Sequence, residues 1–171
     1  MVFLTNKSCN RHSSLLDILM IFISNNVRFI FIFILGVLWF RDHFSKKIVI
    51  NSVVSVVITL ITNSLIKLFV YKPRPFIYNR VGILIPSKKD SSFPSKHTIL
   101  VFAVSTSILL YERTLGCLML GLSVLTGISR VWVGHHYLSD VIGSAFIGSL
   151  TSIIVNKASR IYKRFMYKNC Y

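Results

Sequence analysis

The feature that most constrains this chain is a series of long apolar blocks. The clearest block, residues 48–70, reads IVINSVVSVVITLITNSLIKLFV and contains one charged residue. A helix needs about 20 mainly apolar residues to cross the hydrocarbon core of a bilayer. A soluble chain of 171 residues would need more polar residues to cover its core. The blocks therefore predict a membrane protein.

Five blocks approach or reach the length of a membrane span. They are residues 27–40, 48–70, 97–111, 115–133 and 137–156. Residues 15–24 form a further apolar segment, either a separate helix in the membrane interface or a bent extension of 27–40, and we expect Asn25 and Asn26 to break the helix there. Because no stretch between the blocks resembles an interdomain linker, residues 1–171 are expected to form one all-α domain. Its predicted fold is a polytopic membrane helix bundle with about five to six transmembrane helices.

The charge balance points to an anionic partner. The chain has 20 Lys and Arg against 5 Asp and Glu, a formal net charge of +15, and such a balance is typical of proteins that bind nucleic acid or phospholipid. The apolar blocks favour phospholipid. Because the only basic segment outside a membrane context is the short C-terminal tail, we expect membrane lipids, and no nucleic acid, as partners.

The positive-inside rule places the C-terminal tail in the cytoplasm. The basic residues of this tail are Lys157, Arg160, Lys163, Arg164 and Lys168. Counting spans back from the tail puts residues 72–96 and the turn at 134–136 on the outer side. Two spans separate these segments, so both emerge on the same side and their polar residues can meet. Residues 72–96 are also basic, and their charges need an explanation of their own.

The first polar motif ends the block at 48–70 and reads KLFVYKPRPF. Lys67 continues a polar stripe that recurs every four residues and so occupies one helix face, which we expect to face the bundle interior and not lipid. The stripe consists of Asn51, Ser55, Thr59, Asn63 and Lys67. Either the stripe joins neighbouring helices and Lys67 reaches towards the interface, or Lys67 faces a polar cavity. Pro73 and Pro75 end the helix around Arg74, whose planar guanidinium suits phosphate or carboxylate.

The second motif is SSFPSKHTIL. Pro94 and Ser95 before an apolar run predict a helix start with Ser95 as the N-cap, and the backbone N–H groups at such a start can bind an anion. Lys96 and His97 fall in the first turn. The motif is either an ordinary capped helix with His97 at the interface or a site where this imidazole donates and accepts a proton near neutral pH.

The third motif is SRVWVGHHYLSD. His136 and Asp140 lie four residues apart on one helical face, so the carboxylate can accept from one ring nitrogen and leave the other free to attack. The same face continues through small residues that favour close helix packing and turn the pair inward. These are Ser144, Gly148 and Ser152. His135 is spaced to pair only with Ser139, and we interpret it as an interfacial neighbour.

The three motifs together gather cations, two imidazoles and one carboxylate on the same side of the membrane. These residues are Lys67, Arg74, Ser95, Lys96, His97, Arg130, His136 and Asp140. Phosphoryl transfer depends mainly on positioning and charge neutralisation, which such a set provides. The sequence has no carboxylate cluster for a two-metal site and no second acid for glycoside hydrolysis. We therefore expect a route through a phosphohistidine without metal or cofactor.

These motifs resemble the signature of a known family. Written with their spacing, they are Lys67-x6-Arg74-Pro75, Pro94-Ser95-Lys96-His97 and Ser129-Arg130-x5-His136-x3-Asp140. Their order and spacing, within residues 67–140, resemble the three-part signature of the type 2 phosphatidic acid phosphatase superfamily. The contexts KPRPF, SFPSKHT and SRVWVGHHY are most similar to its bacitracin-resistance branch, the bacterial undecaprenyl-diphosphate phosphatases.

The resemblance implies a role for each motif residue. His136 would be the nucleophile, Asp140 would orient it, and His97 would protonate the leaving oxygen and later activate water. The residues implied to hold the phosphate oxygens are Lys67, Arg74, Ser95 and Arg130. Lys96 stands where the superfamily usually has glycine, and our hypothesis is that it contacts the second phosphate of a diphosphate.

The resemblance also implies a substrate and a location. The enzyme would convert undecaprenyl diphosphate into undecaprenyl phosphate and phosphate at the outer face of the bacterial cytoplasmic membrane, without a protein partner. This reaction would recycle the cell-wall lipid carrier and confer bacitracin tolerance. One alternative is a phosphatase of phosphatidylglycerol phosphate or phosphatidic acid. Another is a non-enzymatic cationic membrane protein, which would explain the charge and the spans but not the convergence of three motifs on one side.

Overall fold

The structure, a computed structural model, describes residues 14–75 and 91–169 of the chain. Within these two ranges the chain forms five α-helices and no strand. They are α1 (Ser14–Arg41), α2 (His43–Phe69), α3 (Lys96–Leu109), α4 (Arg113–Trp132) and α5 (Leu138–Asn169). All except α3 are long and apolar enough to cross a membrane. The chain is therefore a multi-pass membrane protein, and the predicted all-α bundle is confirmed.

The first helix differs from the prediction. Residues 14–41 form one continuous helix, so the segment at 15–24 is an extension of the block at 27–40, and the expected break at the two asparagines was wrong. The side-chain amide of Asn26 donates to the carbonyl of Phe22, one turn earlier, at 2.9 Å. Asn25 is exposed. The Phe22 carbonyl has two lone pairs and can accept this bond beside its helical bond, and Asn25 is on the surface, so the helix continues through both residues.

The short helix α3 lies at the centre of the bundle and packs against the other four described helices. It packs most extensively against α5. At Gly148 of α5 the two helices are so close that an added Cβ atom would overlap the carbonyl oxygen of Ile99. Ser144 and Ser152, on the same face of α5 as Gly148, are fully buried. The predicted small-residue face is thus confirmed as the surface that lets α5 approach α3.

The polar stripe of α2 faces the interior of the bundle, as predicted. Asn51, Ser55, Thr59 and Asn63 are all buried. Ser55 meets α3 at Ser107, with 3.3 Å between the two hydroxyl oxygens. An apolar core on the neighbouring side joins α1 to α2, α3 and α4. It contains Val27, Phe31, Leu38, Ile48, Val49, Val101, Val104, Ile108 and Met119.

The two ends of the bundle differ in what they carry. At one end, which we call the far end, Arg41 at the end of α1 pairs with Glu112 before α4, with Nη1 and Oε1 3.2 Å apart. The opposite end, the site end, carries residues 71–75, 91–95 and the turn at 133–137. The prediction that the second and third motifs emerge on the same side is confirmed. The outer-loop cations Arg80, Lys88 and Lys89, together with the side chains of Lys163 and Lys168 in the tail, lie outside the described residues.

Candidate active site

Residues 71–75 and residues 91–95 lie against each other at the site end. The backbone N–H of Ser92 donates to the carbonyl of Lys72 at 2.7 Å. The hydroxyl of Ser91 accepts from the backbone N–H of Lys72 at 3.2 Å. These bonds fix the first motif beside the second, immediately before α3 begins.

The turn after α4 brings the third motif to the same place. Gly134 has a φ of 81°, a left-handed conformation that glycine adopts without a Cβ clash. The N–H of Gly134 donates to Val131 O and the N–H of His135 to Arg130 O, at 3.0 and 3.1 Å. This pair of bonds is the Schellman pattern of a helix C-terminus. It turns His135 and His136 into the bundle, and each is only 3% exposed.

The imidazole of His136 is held by the segment before α3. Its Nδ1 lies 2.7 Å from the backbone carbonyl oxygen of Ser92. Because a carbonyl only accepts, Nδ1 carries the hydrogen of the neutral ring, and Nε2 has a free lone pair. This is the tautomer that a nucleophile acting through Nε2 requires.

Asp140 contacts His136 through Ser92 and not directly. The hydroxyl of Ser92 donates to Asp140 Oδ2 at 2.5 Å, and the backbone N–H of Tyr137 also donates to this oxygen, at 3.3 Å. Among the hydrogen bonds of the described residues, none joins the carboxylate to the imidazole, so the predicted direct contact was wrong. The physical reason is that Ser92 lies between them, with its carbonyl on the ring and its hydroxyl on the carboxylate.

Lys72 provides the counter-charge of Asp140. Its ammonium forms an ion pair with Asp140 Oδ1, lies 3.1 Å from the hydroxyl of Ser139 and sits 4.8 Å from the centre of the Tyr137 ring. The carboxylate is fully buried, so a cation beside it is energetically necessary. Sequence reasoning assigned no role to Lys72 or Ser92. The sequence offered one indirect indication of Lys72: if Asp140 is buried, a cation must lie beside it.

Burial lowers the pKa of His136, in the turn between α4 and α5, to about 3, and the positive charges of Arg74 and Arg130 lower it further. The ring is therefore neutral at physiological pH, which keeps its lone pair available. The two arginines are each 7% exposed. Arg130 donates from Nη1 to Ser24 Oγ of α1 at 2.7 Å, while its Nε has no hydrogen-bond partner within the described ranges. Two buried guanidiniums near a neutral imidazole make an environment that favours an anion.

Ser95 is the N-cap residue of α3, as predicted, but its side chain makes no capping hydrogen bond. Its hydroxyl accepts from Thr98 Oγ1 at 3.0 Å. Its backbone N–H donates to Ser144 Oγ at 2.7 Å, and Ser144 in turn donates to the carbonyl of Asp140 at 2.6 Å. These bonds lock the start of α3 onto the start of α5.

The remaining predicted residues surround this centre. His97 is half-buried and Lys96 is exposed, both in the first turn of α3, and Lys67 is half-buried in the last turn of α2. His135 is buried, so its predicted interfacial position was wrong, because the Schellman turn directs it inward. Within residues 14–75 and 91–169, no three His, Cys, Asp or Glu side chains are grouped as metal ligands.

Comparison with known proteins places this arrangement in a family. The model of the PAP2 superfamily matches residues 48–163, which include all three motifs but not α1. Undecaprenyl-diphosphatase BcrC of Bacillus subtilis (strain 168) is 34% identical over 166 residues, which cover 96% of this chain and 86% of that protein. The bacitracin transport permease protein BcrC of Bacillus licheniformis is 33% identical over 144 residues, covering 83% and 71% of the two chains.

Two solved structures share the fold. The crystal structure of Aquifex aeolicus LpxE has a TM-score of 0.73 and 27% sequence identity, and the match covers 86% of this chain and 89% of that chain. The transmembrane PAP2 type phosphatidylglycerolphosphate phosphatase from Bacillus subtilis has a TM-score of 0.71, with 90% and 81% covered. Its sequence identity is 19%, so this second likeness concerns the fold alone.

Proposed function

Because the chain belongs to the PAP2 superfamily and is a membrane phosphatase, we propose that it hydrolyses undecaprenyl diphosphate to undecaprenyl phosphate and inorganic phosphate. The observation that carries this proposal is the setting of His136, whose Nδ1 is tied to the Ser92 carbonyl beside two buried arginines. The similarity to an undecaprenyl-diphosphatase over nearly the whole chain supports this substrate.

The proposed reaction has two steps. In the first, Nε2 of His136 attacks the terminal phosphorus, the bond from this phosphorus to the bridging oxygen breaks, and a phosphohistidine forms. His97 gives its proton to the bridging oxygen, which leaves as undecaprenyl phosphate. In the second step His97 accepts a proton from water, the water oxygen attacks the phosphohistidine, and inorganic phosphate leaves as Nε2 regains its lone pair.

The cations of the site have a separate role in this proposal. Arg74, Arg130, Lys67 and the start of α3 at Ser95 hold the oxygens of the transferred phosphoryl group. The charge on these oxygens changes little in a loose transition state, so stabilisation depends on donors that are already in position. Burial of the two arginines holds their guanidiniums in place before substrate arrives.

Asp140, Ser92 and Lys72 act as positioning residues. When His136 takes up the phosphoryl group its ring becomes cationic, and the Ser92 carbonyl and the nearby Asp140 carboxylate stabilise that charge. Lys72 provides the counter-charge of the buried carboxylate. This relay through Ser92 performs the orienting role that the resemblance assigns to Asp140 alone.

We also propose that the active site lies at the outer face of the bacterial cytoplasmic membrane. The tail residues Lys157, Arg160 and Arg164 are exposed on the part of α5 that leads away from the site end. Cytoplasmic loops carry an excess of basic residues, so this placement leaves the site end outside. There the reaction would return the lipid carrier for reuse in cell-wall synthesis, and removal of the diphosphate would confer bacitracin tolerance.

Phosphate release by detergent-purified protein in EDTA tests the proposal. Undecaprenyl diphosphate is compared with phosphatidylglycerol phosphate, and the wild type with His136→Ala. We expect release mainly from the polyprenyl substrate and none from the variant. Release only from the glycerolipid would overturn the substrate, and release of equal size from the variant would overturn the role of His136.

A further inference from the structure

A cavity lies beside the site, between α1, α3 and α4. Its volume is about 240 Å³, which is room for a phosphate group, since one water needs only roughly 10–15 Å³ of such space. Ser24 and Arg28 of α1 and Lys96 and His97 of α3 contribute polar groups to its wall. Val27 and Leu100 contribute apolar surface.

The first helix is fixed against the catalytic elements at two points. Ser24 Oγ accepts from Arg130 Nη1 at 2.7 Å, and Asp17 Oδ1 accepts from Trp132 Nε1 at 2.9 Å. Arg28 follows Ser24 by four residues, so both lie on the same face of α1. The anchored helix therefore presents Arg28 to the cavity. The match to the family model begins at residue 48, so this arginine lies outside the matched residues.

The electrostatics of the cavity favour an anion. None of the described residues that line it is acidic, whereas Arg28 and Lys96 both carry a positive charge. Both charges also act on the imidazole of His97. Two cations in a partly apolar wall repel each other more strongly than in water, and a bound anion relieves that repulsion.

The chemistry of the proposed reaction identifies which anion belongs there. His97 protonates the bridging oxygen, and this oxygen stays with the phosphate that remains on the lipid. That leaving phosphate must therefore lie next to His97, which is one of the residues that line the cavity. The apolar side chains of Val27 and Leu100 are suited to the first carbons of the lipid chain.

We propose that this cavity is a leaving-phosphate subsite, in which Arg28 and Lys96 bind the lipid-linked phosphate of a diphosphate substrate and so select diphosphates over monophosphates. The inference rests on the proposed function and deepens it. It gives α1 a role in specificity, since a substrate whose leaving group is an alcohol leaves both cations without an anion.

Substitution of Arg28 tests the subsite. The purified wild type, Arg28→Gln and Arg28→Lys are assayed with farnesyl diphosphate and farnesyl phosphate, which share one lipid tail. The measured quantity is the ratio of kcat/KM for the diphosphate to that for the monophosphate. Loss of a charge-assisted hydrogen bond corresponds to about a tenfold change or more, so we expect Arg28→Gln to lower the ratio by this factor. Arg28→Lys keeps the charge and should retain most of the ratio.

The matched control is Arg113→Gln, which removes an exposed arginine at the far end of the bundle and should leave the ratio unchanged. A wild-type ratio in Arg28→Gln, or an equal decrease in Arg28→Gln and Arg113→Gln, would overturn the subsite while the phosphatase activity stands. The proposed function itself would be overturned if the wild type released phosphate from phosphatidylglycerol phosphate but not from undecaprenyl diphosphate or farnesyl diphosphate. If Arg28→Gln does not fold, Lys96→Gln, which removes the second cation of the cavity, takes its place in the same assay. An unchanged ratio in Lys96→Gln would then overturn the subsite.

Discussion

The interior of this bundle is polar in two places, and the two places are built differently. Towards the far end, Ser107 accepts from Ser152 at 2.9 Å and from Asn156 at 2.8 Å, and it meets Ser55 at 3.3 Å. This hydroxyl cluster carries no charge. The site end buries two arginines, two histidines and one carboxylate, which are Arg74, Arg130, His135, His136 and Asp140.

The presence or absence of charge distinguishes polar residues that join helices from polar residues that are suited to bind a substrate. The neutral side chains of this cluster join α2, α3 and α5 through hydrogen bonds, at a gain of about 0.5–1.5 kcal/mol each. Buried charges cost several kcal/mol each unless they are compensated. Among the described residues of the site end, Asp140 is the only buried acid, and Lys72 forms an ion pair with it. The excess of positive charge there is therefore expected to bind an anion.

Removal of the nucleophile should have the largest effect on this comparison. His136→Ala eliminates the ring whose Nδ1 is held by the Ser92 carbonyl and whose Nε2 is free to attack, so phosphate release should fall by about a thousandfold or more. Circular dichroism and thermal unfolding in detergent would show that the variant is folded. Turnover within tenfold of the wild type in a folded variant would contradict the assignment.

Disruption of the Lys72–Asp140 pair should have the next largest effect. Lys72→Met leaves a buried carboxylate without its cation, and Asp140→Asn removes the charge that steadies the cationic ring, so each should lower kcat by about tenfold to a thousandfold. Lys47→Met, on the exposed surface at the start of α2, serves as the matched control.

The double variant Lys72→Met/Asp140→Asn distinguishes positioning from simple stability. Because it contains no uncompensated charge, its Tm should recover relative to Lys72→Met, while its kcat should remain low. Recovery of both quantities together would mean that the pair contributes only to folding.

A change in the hydroxyl cluster should affect stability and leave catalysis intact. Ser107→Ala removes an acceptor shared by Ser152 and Asn156, so we expect a loss of about 1–3 kcal/mol in the free energy of unfolding. The kcat per folded molecule should stay within twofold of the wild type. A large loss of kcat at unchanged stability would show that the two polar regions are coupled.

Acid should destabilise the wild type more than a variant that lacks His136, and this is the smallest expected effect. The folded protein holds the pKa of His136 at about 3, below its ordinary 6.5. The unfolded chain therefore binds more protons between these pH values, and the stability associated with the neutral ring, fully present above pH 6.5, is lost as the pH falls. From pH 7 to pH 5 the Tm of the wild type should fall by about 5 °C more than that of His136→Gln. Parallel curves would contradict this charge state.

The comparison also shows what could be predicted from the sequence. The apolar blocks indicated the helices, the four-residue spacing indicated that Asn63 faces inward, and the number of spans indicated that the second and third motifs meet. These are local or periodic properties. Continuity through Asn25 and Asn26 could not be predicted, because it depends on where each side chain points once the helix is packed.

The relay at the site could not be predicted for a similar reason. Ser92 lies 44 residues from His136 and 48 from Asp140, and it contacts the first through its carbonyl and the second through its hydroxyl. No spacing rule describes such a contact. Lys72 could not be identified from the sequence, because it is one of several cations in the outer segment. Only the folded chain shows which of them reaches the Asp140 carboxylate.

The most direct test of the central claim is to trap the intermediate. Purified wild type and His136→Ala are mixed with undecaprenyl diphosphate radiolabelled in the terminal phosphate, quenched within one turnover and separated from lipid. The account predicts labelled wild-type protein whose phosphate is stable in alkali and released by acid, as expected of phosphohistidine, and no label on His136→Ala. Equal labelling of the variant, or rapid turnover by the wild type with no labelled protein at any time, would contradict it.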